Sequence, residues 1–305
     1  MSNLSNKLEH SVITIGTFDG VHIGHQKIIE QLLSVANKQN LKPVVLTFFP
    51  HPRMVIQPDF KMELLNTIDE KRGILLKLGI EELVIKRFTK KFASLTARAY
   101  VEEILVKELK IKHVIIGYDH RFGKGRLANI ENMKSLGSEF NFTVQEIPAQ
   151  DISDITVSST KIRKALAEGN LELANRYLGY NYFLSGTIIK GRGLGKTIQF
   201  PTANISISED YKLIPKQGVY VVTSKINGLV VKGMMNIGTN PTVKGKTQSI
   251  EVHFFNFNQD LYSKNLKIDI VHRLRDEQKF ESLQALSKQL EQDKKDAIVY
   301  LNNNN

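Results

Sequence analysis

The sequence has no cysteine and no tryptophan among its 305 residues. Without cysteine there is neither a disulfide nor a thiolate metal site, so disulfide scaffolds and zinc-finger modules are excluded. No apolar run approaches the roughly 20 residues of a membrane helix. Residues 1–11 are polar and lack the apolar core of a signal peptide. We therefore expect a cytoplasmic protein that does not enter a membrane.

Positive charge is in excess, with 42 Lys and Arg against 31 Asp and Glu and a formal net charge of +11. Such an excess fits a nucleic-acid binder, a protein that binds small polyphosphates, or a solvated basic surface. The basic residues are scattered, and no long basic arm or aromatic RNA-binding signature accompanies them. The pattern favours a solvated surface and no nucleic-acid partner.

The first half alternates apolar, β-rich runs with segments of helical periodicity. In chain order the predicted strands and helices are 12–15, 26–38, 44–49, 70–78, 82–86, 97–109 and 112–116. This alternation predicts a parallel sheet with helices on both faces, a Rossmann-like α/β domain. Ligands of such sheets bind beyond the carboxyl ends of the strands, so the loops 16–25, 47–53 and 117–125 are the ones of interest.

The first of these loops reads GTFDGVHIGH over residues 16–25 and leads into a predicted helix. A helix N-terminus presents unpaired N–H groups, and glycines let a polyphosphate approach the backbone closely. His22 and His25 are three residues apart, so both can face one ligand. The alternatives are two surface histidines or a metal pair, and for the metal pair no His-Glu-x-x-His frame is present. The loop therefore predicts a phosphate site.

Three further segments carry polar groups. The second loop holds Pro50, His51 and Pro52, and the two prolines predict a loop in which no helix forms. The third offers Asp119 for hydrogen bonding and Phe122 as a stacking face. A run of hydroxyls at residues 158–160 precedes a helical stretch to 168. A plain helix cap would explain one hydroxyl, but three followed by two cations also suit a triphosphate.

The second half is β-rich and has no helix between its predicted strands. Those strands are 182–190, 218–226, 229–237, 250–257 and 266–273. Asn227-Gly228 between two of them is a hairpin signal. The pattern predicts a small antiparallel barrel, closed by a helix over 280–301.

Glycines precede a polar loop at the start of this barrel. The run GRGLGKT at 191–197 has one residue too few for a Walker A loop. Gly191 and Gly195 can instead wrap a nucleotide, and Thr202 and Asn204 supply oxygen ligands acceptable to Mg²⁺. Glu251 lies in a strand whose alternation puts it on one face with His253; there it either meets water or serves as a general base.

The first half resembles nucleotidyltransferases, which carry His-x-Gly-His and Ser-Ser-Thr-x-Ile-Arg signatures, matched here at 22–25 and 158–163. More narrowly, residues 16–22, 47–52 and the third loop look like the adenylyltransferase half of prokaryotic bifunctional riboflavin kinase/FAD synthetases.

The second half resembles riboflavin kinase through the motifs FPTAN, GVY, NIGTNPT, EVH and RLRDE, which occur in the family's order at 200–204, 218–220, 236–242, 251–253 and 273–277. Two positions depart from the common patterns. Gln199 stands where many members have glycine, and Asp119-His120 stands where many have an amide or acid followed by Phe.

The resemblance implies an adenylyltransferase domain over 1–180 and a kinase domain over 181–305. It implies that riboflavin is phosphorylated to FMN and that FMN is adenylylated to FAD, with ATP as co-substrate, Mg²⁺ as cofactor and release of pyrophosphate. Glu251 would be the base of the kinase, and His22 and His25 the catalytic residues of the transferase.

The remaining site residues implied by the resemblance bind the substrates. They are, for ATP in the transferase, Gly16, Phe18, Asp19, His22, His25, Asp119, Ser159, Thr160 and Arg163; for ATP and Mg²⁺ in the kinase, Gly191, Gly195, Thr202 and Asn204; and for flavin, Pro50, His51, Phe122 and Arg275.

The sequence also fits two other functions. The first half could transfer a nucleotide to another phosphate or acid, or the chain could be a basic RNA-binding protein, which a steep salt dependence of RNA affinity without ATP turnover would indicate. A homo-oligomer is left open.

Overall fold

The computed structural model describes residues 10–147, 157–191, 195, 198–242 and 245–304. The chain divides into two compact units, Met1–Ser158 and Ser159–Asn305. The functional boundary expected after residue 180 falls inside the second unit and stays a prediction.

A five-stranded parallel sheet forms the centre of the first unit, with strand order β3-β2-β1-β4-β5. The strands are β1 Ser11–Ile15, β2 Lys42–Phe49, β3 Glu82–Arg87, β4 Ile111–Gly117 and β5 Thr143–Ile147. Successive side chains of β1 enter different cores, because Val12 packs in one apolar cluster and Ile13 in another. The predicted parallel sheet, covered on both faces, is confirmed.

Helices connect these strands. They are α1 Ile23–Gln39, α2 Pro52–Ile56, α3 Ile68–Lys77, α4 Lys90–Ala93, α5 Ala97–Tyr100, which continues as a π-helix over Val101–Glu108, and α6 Ile130–Phe140. The prediction that no helix forms at Pro50 and Pro52 is wrong. Pro52 begins α2, and a proline at the first helical position gives up only an N–H that the helix leaves unpaired.

The second unit begins with α7 Ser159–Glu168 and α8 Leu171–Leu178 and continues into a closed six-stranded barrel. Its strands are β6 Phe183–Ile189, β7 Ala203–Ser206, β8 Gly218–Ile226, β9 Leu229–Thr242, β10 Gly245–Phe254 and β11 Asn265–Arg275, followed by α9 Leu283–Asn303. All neighbouring strands are antiparallel, so the predicted barrel with a C-terminal helix is confirmed.

A buried ion pair joins α9 to the barrel. Arg275 on β11 donates from Nε and Nη2 to the carboxylate of Asp293, at 2.8 and 2.7 Å, and Asp293 is 2% exposed. Ala297 and Leu301 of the same helix pack in an apolar cluster with Val221 of β8. The last helix is thus fixed by both a bidentate charge pair and apolar contact. Among the described helices, none combines the length and the apolarity that crossing a membrane requires.

The barrel needs glycine where two strands approach closely. A Cβ on Gly186 would lie 2.5 Å from the carbonyl oxygen of Ser206, so Gly186→Ala should lower the free energy of unfolding by about 1–3 kcal/mol. As a control, Gly73→Ala places its methyl group in open space on α3 and should raise stability by about 0.5–1 kcal/mol. Calorimetric unfolding measures both, and wild-type stability in Gly186→Ala would contradict the close approach.

Candidate active sites

The loop between β1 and α1 has a strained backbone. Phe18, Gly20 and Val21 have φ angles of 46, 84 and 36°. The left-handed region is unfavourable for a β-branched residue such as Val21. The side chain of Val21 is nevertheless held in this conformation, completely buried. Glycine suits position 16 of this loop, since a Cβ there would lie 3.0 Å from the Phe18 ring. Such strain persists only where neighbouring groups hold the backbone in place.

Three neighbouring segments hold the loop. The Thr17 carbonyl accepts hydrogen bonds from Lys71 Nζ at 2.7 Å and from Thr47 Oγ1 at 3.1 Å. The carboxylate of Asp19 accepts the Leu65 N–H at 2.9 Å and is 2% exposed. The donors come from the end of β2, from α3 and from the segment before α3. Asp19, predicted to bind ATP, therefore has a role in shaping the loop.

The two histidines meet at the N-terminus of α1. His22 is the N-cap residue, and its Nδ1 accepts the His25 N–H at 3.4 Å. The two imidazole rings stack with centroids 3.7 Å apart and an interplanar angle of 16°. His25 Nδ1 is buried and has no hydrogen-bond partner in the described part of the chain. The predicted pairing of these side chains at a helix N-terminus is what the geometry shows.

Both histidines are neutral at neutral pH because their surroundings lower their pKa values. Burial lowers the pKa of His22 to about 4. Burial also lowers the pKa of His25 well below its ordinary range, and the nearby His22 and Lys71 lower it further. The imidazoles can therefore donate hydrogen bonds to a phosphate without carrying a permanent positive charge.

The residues predicted to bind flavin in the first unit have different environments. Pro50 follows a cis peptide bond, and His51 caps α2 by accepting the Arg53 N–H at 3.1 Å. Phe122 is only 6% exposed, with its ring packed against Tyr100. Asp119, predicted to contact ATP, is exposed. Flavin contacts of these aromatic and proline residues stay predictions.

Ser159, Thr160 and Arg163 lie in the first turns of α7, in the second compact unit. Arg163 Nη2 is 3.4 Å from Thr160 Oγ1, so a cation and a hydroxyl are presented together at a helix N-terminus. This arrangement is chemically suited to an anion.

A second polar cluster lies on the barrel wall. Thr202 Oγ1 donates to the Glu251 carboxylate at 3.1 Å. Glu251 on β10 is paired with Asn204 on β7 and with Asn236 on β9. Opposite residues of antiparallel strands project from the same face, so the three polar side chains form one row with Thr202 at its side. The structure thus brings together Thr202, Asn204 and Glu251.

The two predicted glycines border this row. A Cβ on Gly191 would lie 2.0 Å from the Asn204 side chain, and one on Gly195 would lie 2.1 Å from the Phe200 carbonyl oxygen. Gln199 has a φ of 63°, in the left-handed region where glycine is favoured. This backbone conformation explains why glycine suits the position and shows that glutamine is accommodated there under strain.

Two residues beside the predicted sites were missed. His253 Nδ1 donates to the Pro201 carbonyl at 2.8 Å and so fixes the segment that carries Thr202. Its alternation with Glu251 on β10 was the available signal. Lys71 gave no signal, because a lysine within an amphipathic helix is normally solvated.

Arg275 was predicted to bind flavin. Its guanidinium donates hydrogen bonds to the Asp293 carboxylate, and the flavin contact stays a prediction.

Two family models match successive parts of the chain. The family model of FAD synthetase matches residues 4–161, and that of riboflavin kinase matches residues 178–301. The bifunctional riboflavin kinase/FMN adenylyltransferase of Listeria monocytogenes is 39% identical, covering 95% of this chain and 92% of the relative. The enzyme of the same name from Bacillus subtilis is 38% identical, covering 96% and 93%.

A solved structure is also similar over nearly the whole length. The crystal structure named a macrolide-efflux protein, from Streptococcus pneumoniae, has a TM-score of 0.84 and 33% identity, covering 94% of this chain and 93% of that one. Its name describes that protein alone, whereas both family models and the curated relatives name flavin enzymes. The chain belongs to the bifunctional riboflavin kinase/FMN adenylyltransferase family, which converts riboflavin to FMN and FMN to FAD with ATP.

Proposed function

We propose that the two reactions use separate sets of residues, the kinase at Glu251 on the barrel and the transferase at the loop 16–25. The observation that carries this proposal is the Thr202–Glu251 hydrogen bond, flanked by Asn204, because it places a carboxylate beside two metal-compatible oxygen groups. The histidine pair at the start of α1 supplies a different chemistry, that of phosphate binding.

In the kinase step Glu251 accepts the proton of the riboflavin 5′-hydroxyl as that oxygen attacks the γ-phosphorus of ATP and ADP leaves. Thr202 orients the carboxylate through its hydrogen bond, and Gly191 allows the nucleotide close to the backbone. Thr202 and Asn204 would hold Mg²⁺, since the hydroxyl and amide oxygens are the ligands this ion takes. When bound, the ion neutralises phosphate charge.

In the transferase step an oxygen of the FMN phosphate attacks the α-phosphorus of ATP, and pyrophosphate leaves. The phosphate is already ionised at neutral pH, so no strong base is needed and catalysis rests on position and charge. His22 and His25 donate N–H groups to the phosphates at the α1 N-terminus. The ATP contacts of Ser159, Thr160 and Arg163 stay a prediction.

Four further assignments stay proposals. These are the functional boundary after residue 180, Mg²⁺ as the particular metal, a cytoplasmic location without nucleic-acid partners, and the oligomeric state.

Separate sites predict separable losses. Glu251→Gln should reduce riboflavin phosphorylation by roughly 10²–10⁴-fold, because the general base is lost, while adenylylation of supplied FMN stays within about twofold of wild type. His25→Ala should do the reverse. Flavin chromatography of reactions started from riboflavin and from FMN measures both rates, and loss of both activities in either folded variant would contradict separate sites.

The His253 contact predicts a difference between two amide substitutions. Asparagine places its NH₂ group near the position of histidine Nδ1, whereas glutamine places it near Nε2, away from the Pro201 carbonyl. His253→Asn should therefore keep most of the phosphorylation rate, and His253→Gln should lose roughly 10- to 100-fold, as expected when a positioning contact fails. Adenylylation of FMN is the internal control. Equal kinase rates in the two variants would show that this hydrogen bond does not matter.

A further inference from the structure

Lys71 on α3 is a buried cation that the reaction steps above do not use. Its side chain is 3% exposed, and its Nζ donates to the Thr17 carbonyl at 2.7 Å. The charged and titratable groups that act on it come from other elements, namely Asp19 of the loop and His25 of α1. On its own helix the neighbouring Glu70 carboxylate accepts the Thr67 N–H in a capping box.

The other lysine buried among the described residues has a different environment. Lys212 lies over the rings of Tyr182 and Phe183, at 4.5 and 5.4 Å from their centroids, as a cation packed on aromatic faces. Lys71 instead contacts the carbonyl of a loop that leads directly to the histidine pair. The ammonium of Lys71 therefore holds the loop that forms the predicted phosphate site.

Holding the loop does not by itself require a charged donor. Thr47 already donates a neutral hydrogen bond to the same Thr17 carbonyl and is completely buried. A buried ammonium is costly to desolvate, and burial lowers the pKa of Lys71 to about 8 against the opposing effect of Asp19. Because both histidines are neutral at neutral pH, the loop 16–25 contains no other positive charge to meet a triphosphate.

We propose that Lys71 is a positioning residue for adenylyl transfer: its ammonium fixes the Thr17 carbonyl of the strained loop and supplies a positive charge behind the histidine pair. This inference rests on the proposed transferase site. A triphosphate gathers negative charge on the departing pyrophosphate, and a fixed cation behind the loop favours that change without reorganising during the reaction. The role combines loop geometry and electrostatics.

The sign of the pH effect follows from the lowered pKa. Lys71 is charged below about pH 8 and loses its proton as the pH rises through that value, so adenylylation should decline on the alkaline side. Stability should move in the opposite direction. The pKa is 10.5 when the chain is unfolded and about 8 when folded, so between these values the unfolded chain binds more protons and the folded state gains stability with pH.

The test compares Lys71→Met and Lys71→Arg with Lys77→Met, a control at an exposed lysine of the same helix. For each, kcat and KM for ATP in FMN adenylylation are measured from about pH 6.5 to about pH 9.5. Thermal unfolding is the folding control, and riboflavin phosphorylation by the same chain normalises for the amount of active protein. We expect Lys71→Met to have a kcat roughly tenfold or more below that of wild type and a melting temperature no lower than that of wild type. Its activity should no longer decline on the alkaline side. Lys71→Arg should keep more activity and show no decline near pH 8.

Each other outcome overturns the proposal. If Lys71→Met had the kcat and the pH profile of wild type, adenylylation would not require the charge. If it had a lower melting temperature but an unchanged KM and pH profile, Lys71 would have a structural role only. If neither variant folds, the wild-type profile decides, because no decline in adenylylation near pH 8 contradicts the proposal. His25→Ala tests the transferase site separately. If this variant kept the wild-type rate of adenylylation, the proposed site itself would be wrong, and not only the role of Lys71.

Discussion

Strand register is the constraint on which both sites depend. In the first unit β1 is paired on both sides, with β2 and β4, so its end delivers the loop 16–25 to one edge of the sheet. In the barrel β10 is paired with β7 and β9, which puts Glu251 in line with Asn204 and Asn236. A slip of one residue would turn Glu251 to the opposite face and replace it with Ile250 or Val252. Packing of the apolar faces therefore fixes the chemistry.

The two sites then treat charge differently. On the barrel a carboxylate stands beside a hydroxyl and amides, a set suited to a proton acceptor and a hard cation. In the first unit the imidazoles are held neutral by burial, and the positive charge lies deeper, on Lys71. Keeping an ammonium buried costs stability, and a strained Val21 backbone adds to that cost. Both features are easier to understand as requirements of phosphate chemistry than of folding.

Patterns local in sequence could be predicted, and contacts between distant segments could not. Hydrophobic periodicity gave the parallel sheet and the barrel, and alternation placed Glu251 on the face of His253. The strands β5 and β7 were missed because they are short and partly polar. The contact of Lys71 with Thr17 spans 54 positions, and that of Arg275 with Asp293 spans 18. Neither contact affects the local hydrophobic periodicity, so the roles of these residues could not be predicted from the sequence.

One chain carries both flavin activities, and we propose that it does so at two sites. The most direct measurement is chromatographic separation of flavins after the purified protein is incubated with riboflavin, ATP and Mg²⁺, in parallel with a reaction started from FMN. We expect FMN to appear before FAD in the first reaction and FAD to form without riboflavin in the second. Persistence of both riboflavin and FMN in the presence of folded protein would contradict it.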